Sequence, residues 1–112
     1  MRVAELEASR RFYAAIAPAL GLRVDASRWG VGVSGDDRSF TLVAGGEPTE
    51  NVHIAFPAAD EATVHEFHRV ALAAGYPDNG SPGERSIYHP GYYGAFVLDP
   101  DGNNVEAVFH NR

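Results

Sequence analysis

The chain has no cysteine and no lysine. The first absence excludes disulfides, thiolate metal sites and a cysteine nucleophile. The second leaves all nine basic residues as arginine, which reads as codon usage and not as nine guanidinium sites. No basic-then-apolar leader opens the sequence, and no apolar run approaches the roughly 20 residues of a membrane span. A cytoplasmic location is therefore expected. Positive charge is scarce too. The net charge of −6 argues against nucleic acid or anionic membranes as partners, because both select basic surfaces. A phosphate-binding loop, a Ser/His/Asp nucleophile set and coiled-coil heptads are also missing.

What remains is a chain of 112 residues, 45% of them apolar, enough for one domain with a modest core. An alanine-rich segment over 5–20 places Leu6, Phe12, Ile16 and Leu20 at helical spacing, with Pro18 expected to bend or fray its last turn. Gly21 follows as a C-cap. Three short β-like runs come next, at 22–26, 29–34 and Ser39–Ala44, with a turn at Gly35-Asp36-Asp37. Gly45-Gly46-Glu47-Pro48 breaks the chain as a linker. The same order then returns. A strand is expected over 52–56 and a helix over 60–74, with Val64, Phe67, Ala71 and Leu72 on one side. Further strands are expected at 86–89, Tyr92–Leu98 and Asn104–His110. Asp99-Pro100-Asp101-Gly102 is a tight turn between the last two.

Phe12-Tyr13 and Phe67-His68 stand at matching places in the two helices. The repeated order suits two paired layers over one core. Module one covers 1–48 and module two 52–112. The strand that would open module one falls mostly before Met1, so only 1–4 can serve: either the sequence given starts inside that strand, or most of the strand has been lost.

Some residues in module two carry possible chemistry. Alternation along 52–56 turns Ile54 and Phe56 one way and His53 the other. His53 is then either a concave-face functional group or a half-buried histidine satisfied by a backbone carbonyl. Alternation along 104–110 puts Glu106, Val108 and His110 on one face. A carboxylate within a run of Val, Ala and Phe needs a cation, a donor cluster or water, unless the strand is an exposed edge. The block 79–93 gathers Arg85, Tyr88, His89, Tyr92 and Tyr93 between Gly and Pro residues. It is either a turn-rich connection capping the sheet or a substrate wall with Arg85 as an anion clamp. His65 and His68, three apart on one helix, are most simply solvated.

The segment Leu6-Glu7-Ala8-Ser9-Arg10-Arg11-Phe12-Tyr13 resembles the first-helix signature of the vicinal oxygen chelate superfamily, which includes glyoxalase I, extradiol dioxygenases and bleomycin-binding proteins. Val52-His53-Ile54-Ala55-Phe56 is similar to the start of that family's second module. The stretch 93–106, with Asp99-Pro100-Asp101-Gly102-Asn103 and Glu106, is similar to its closing hairpin. The resemblance implies an α+β fold: two βαβββ modules in an incomplete eight-stranded barrel around a cleft, often completed by a homodimer. It also implies that His53 and Glu106 are metal ligands, Glu106 having a catalytic role as well, for a divalent Zn, Ni, Fe or Mn ion. The family's first-strand ligand has no counterpart here, and the module-one position matching Glu106 is Thr41, a poor substitute. Two functions follow as expectations. One is a metal-dependent lyase, isomerase or dioxygenase acting on a small oxygen-chelating substrate. The other is a metal-free protein that sequesters a small molecule or a bleomycin-type antibiotic.

Overall fold

A computed structural model describes residues 1–27, 30–35 and 39–111. Trp29 and the Asp36-Asp37 turn lie outside the described residues. The order is β1 (Arg2–Val3), α1 (Leu6–Leu20), β2 (Arg23–Ser27), β3 (Gly30–Ser34) and β4 (Ser39–Ala44). It continues with β5 (His53–Pro57), α2 (Glu61–Ala73), β6 (Asp78–Glu84), β7 (Tyr92–Leu98) and β8 (Asn104–His110). This is the repeated βαβββ order. The eight strands form two four-stranded sheets, β1-β4-β3-β2 and β5-β8-β7-β6, with no closed barrel. In each sheet the first strand runs parallel to the last, and the other pairs are antiparallel. β1 has two residues, as short as expected.

The second strand of module two corrects the sequence reading. Ser86, Ile87 and Tyr88 form a turn, and the strand lies earlier, over Asp78–Glu84. Its sequence, DNGSPGE, is made of residues that favour turns. It survives as a strand because it is an edge that pairs only with β7, where Pro82 costs no ladder bond that is needed. The ladder slips twice, between Asp78 and Gly80 and between Gly80 and Gly83. Tertiary pairing therefore overrides propensity. α1 also runs on through Pro18 to Leu20.

The helices pack on each other, and each covers one face of its own sheet. Phe12 and Phe67, the equivalent residues of the repeat, are both fully buried. Tyr13 crosses between modules, its ring 5.5 Å from Phe40 and 6.4 Å from Phe56. One apolar cluster thus runs through both halves, with Phe56, Phe67 and Val105 among its buried members and Ile54 packed against it. Leu72, expected on the buried side, lies at the edge and is 39% exposed.

The hairpin turn between β7 and β8 ties the linker down. Asp99 Oδ1 accepts from the backbone N–H groups of Asp101 and Asn103. Buried Asn103 then accepts from Val52 N–H at 3.0 Å and donates to the Thr49 carbonyl at 3.2 Å. Asn103→Ala strands both backbone groups and should cost about 1–3 kcal/mol of unfolding free energy. Urea denaturation with an unchanged m-value would measure it.

Three aspartates give the fold a pH dependence of mixed sign. Asp60 caps α2, and the Thr63 hydroxyl and N–H hold its carboxyl below the usual value. Asp78 is lowered by His68 and then by the Gly80 N–H. Both contribute stability that is present above the ordinary aspartate pKa and is lost as pH falls. Burial pushes Asp99 up, so its contribution favours folding below that pKa and fades as pH rises. Glu7 and Glu66, held down by Arg10 and Arg69, act in the same sense as Asp60 and Asp78, so the melting temperature should fall on acidification between about pH 5 and pH 3. Asp60→Asn keeps a cap but not its titration, and thermal melts across that range should show a smaller fall.

Candidate functional site

β5 and β8 lie side by side in the second sheet, with Ala55 opposite Glu106 and His53 opposite Asn104. β7 flanks β8 on the other side, with Phe96 opposite Glu106 and Tyr92 opposite His110. Strand alternation therefore sends His53, Glu106, Tyr92, Phe96 and His110 to one face. Ile54, Phe56, Val105 and Ala107 go to the other, against α2. The face left open by the helix holds the polar residues.

Glu106 is fully buried, while the His53 side chain is 49% exposed. The carboxylate is thus the floor and the imidazole stands at the mouth. His53 Nε2 lies 2.6 Å from Glu106 Oε1 and donates to it. The Tyr92 hydroxyl donates to Glu106 Oε2. These two donors offset the cost of burying a charge in an apolar strand. Burial, and then the bond to Glu106, push the Tyr92 hydroxyl well above its usual pKa, so it remains a neutral donor. Gly94 provides the space. A Cβ there would sit 2.9 Å from Glu106 Oε2.

The wall residues named from sequence divide. The Arg85 guanidinium lies 5.4 Å from the Phe96 ring centre and bonds the Ser81 carbonyl, which puts a cation over this face. The Tyr88 ring is 4.8 Å from Tyr92 and 61% exposed. His89 packs edge-on against Tyr92 at 5.2 Å. Tyr93 departs from the expected wall. It follows Tyr92 on the strand and so faces α2, where its hydroxyl meets His65 Nε2 at 2.7 Å. His68 bonds Asp78 at 2.9 Å, so the two helix histidines serve separate partners. Sequence reading passed over Phe96 and His110 as site residues. The signal was available, since the Asp99–Asn103 turn sets the hairpin register that places them opposite Glu106 and Tyr92.

Two donors of metal-ligating type therefore converge, and His53 and Glu106 are within one ion's reach of each other. A resident transition metal takes three or four protein donors. Among the described residues no three His, Asp or Glu side chains gather to hold one. The third group at Glu106 is the neutral Tyr92 phenol. Thr41 stands in module one where Glu106 stands in module two. It lies two residues before Val43, the partner of Arg2, just as Glu106 lies two before Val108, the partner of Pro57. Its side chain is a neutral hydroxyl. His53 Nδ1 also lacks the acceptor that ligating imidazoles usually have among the described residues. The donors among the described residues do not by themselves fit a resident metal.

No family model matches the sequence, and no curated protein does. Solved structures do match. A glyoxalase/bleomycin resistance protein from Albidiferax ferrireducens T118 is 26% identical, covering 97% of this chain and 92% of its own, with a TM-score of 0.82. A glyoxalase/bleomycin resistance protein/dioxygenase family enzyme from Burkholderia phytofirmans PsJN is 19% identical over 98% and 94%, with a TM-score of 0.76. Lactoylglutathione lyase from Agrobacterium tumefaciens is 21% identical over 97% and 88%, with a TM-score of 0.68. The chain has the glyoxalase fold, and its neighbours are the glyoxalase, bleomycin-resistance and dioxygenase proteins of the vicinal oxygen chelate superfamily. No helix among the described residues is long and apolar enough to cross a membrane.

Proposed function

We propose that the open face of the second sheet binds a small organic molecule without a resident metal. The observation that carries this reading is Glu106, a fully buried carboxylate between Val105 and Ala107 whose two oxygens are held by His53 and Tyr92. Around it stand Tyr88, His89, Phe96 and Arg85, a set that suits a planar, partly apolar ligand with a donor group for the floor. Bleomycin-type antibiotics are the first probe, because two of the structural neighbours are glyoxalase/bleomycin resistance proteins. Calorimetric titration with metal-free bleomycin should show saturable binding that Tyr92→Phe and Glu106→Gln weaken. Heat that is unchanged in both variants would count against the site.

The metal-dependent reading rests on the same pair. A divalent Zn, Ni, Fe or Mn ion between His53 and Glu106 would need further donors from beyond the described residues, which a second copy of the chain could supply. Metal content of the purified protein, before and after chelation and reloading, discriminates the two: a stoichiometric ion lost in His53→Ala would favour the metal. A homodimer suits either reading, because each sheet leaves one face uncovered and its edge strands unpaired. Light scattering should give about twice the 12.0 kDa chain mass.

A further inference from the structure

We propose that His89 and His110 form a separate chelate for a divalent transition metal, at the outer end of the same sheet and independent of His53 and Glu106. His89 lies in the 85–91 connection, and His110 ends β8. His89 Nδ1 is 2.8 Å from the Pro90 carbonyl oxygen. A carbonyl only accepts, so Nδ1 carries the proton and Nε2 presents its lone pair. That lone pair faces His110 Nδ1 at 2.9 Å.

The spacing is that of a chelate. Two nitrogens each about 2.05 Å from one ion lie about 2.9 Å apart at a right angle and about 3.3 Å apart at the tetrahedral angle. The two nitrogens are already at chelate spacing, and each ring has to turn until its lone pair leaves the N···N line and meets the ion. A backbone carbonyl on the far nitrogen is the partner that orients ligating imidazoles. In the metal-free state His110 Nδ1–H donates to His89. On binding, that proton moves to His110 Nε2 and both facing nitrogens become donors to the ion.

The pair is also held in place. The two rings lie 26° from parallel with centres 5.2 Å apart, and the Tyr92 ring meets each edge-on at 5.2 Å. The backbones beneath them are joined, with Asn111 N–H donating to the Gly91 carbonyl at 2.8 Å. Gly91 has φ 85°, and a Cβ there would fall 1.8 Å from the Asn111 carbonyl oxygen. Only glycine lets the connection come this close to the strand end. Tyr92 separates the two sites, its hydroxyl turned to Glu106 and its ring edges to the histidines. Two imidazoles fall short of the three or four donors of a resident site, so the ion is exchangeable, with water in its open positions, and such a pair suits Cu(II), Ni(II) or Zn(II).

The test is calorimetric titration of chelator-stripped protein with copper, nickel and zinc salts, using His89→Ala, His110→Gln and His53→Ala. One ion per chain should bind with a micromolar dissociation constant. His89→Ala and His110→Gln should each weaken it at least tenfold with unchanged thermal melts, and His53→Ala should leave it as it is. The electron paramagnetic resonance spectrum of the copper form should carry splitting from two imidazole nitrogens, reduced to one in either histidine variant. Binding that survives both variants, that disappears only in His53→Ala, or that is absent at millimolar metal would overturn the proposal.

Discussion

Phe67→Ala should lower the unfolding free energy by about 3–5 kcal/mol, the range for deleting a buried phenylalanine ring. Phe67 is fully buried between α2 and the second sheet, in the cluster that includes Phe56, Val105 and Ala107. The backbone strands there are fixed by their ladders, so the walls can only partly close on the cavity. Urea denaturation would read the loss as a lower midpoint at constant slope. Leu72→Ala on the same helix is the control. At 39% exposure Leu72 should cost no more than about 1 kcal/mol. Equal losses at both positions would mean that α2 is anchored by its general apolarity and not by Phe67.

Glu106→Leu should reduce the affinity for the bleomycin probe more than tenfold, the largest functional effect of any single change at the site. Leucine fills a similar volume but accepts nothing. It leaves the Tyr92 hydroxyl without its partner, at a cost to folding of about 1–3 kcal/mol, while half-exposed His53 turns to water. Glu106→Gln keeps one acceptor oxygen and should fall between the wild type and the leucine variant in both measurements. Affinity that is unchanged in both variants, while stability falls, would make Glu106 a purely structural group.

Much of this molecule can be read from residues alone, and the exceptions share a cause. Helix boundaries came within a residue because α1 and α2 carry their own periodicity, and the helix glycines and Asp60 act locally. β7 and β8 came out with their observed limits since the Asp99–Asn103 turn brackets them. Alternation within β5 turned His53 away from Ile54 and Phe56, and alternation within β8 turned Glu106 away from Val105 and Ala107, but only the resemblance put the two on one face. β6 was missed because nothing in Asp-Asn-Gly-Ser-Pro-Gly-Glu favours a strand, and only pairing with β7 makes it one. The same holds for Tyr92. Its bond to Glu106 depends on cross-strand register, and composition had grouped it with Tyr93, which the pleat sends to the opposite face.

The register match of Thr41 with Glu106 has a consequence for whatever these sheets bind. A duplicated scaffold with a carboxylate in each half would offer a guest two equivalent poses, related by the pseudo-symmetry of the repeat. With threonine in one half, only one pose meets an anion. The degeneracy is removed by a single side chain, so a molecule docked against this protein has a head and a tail.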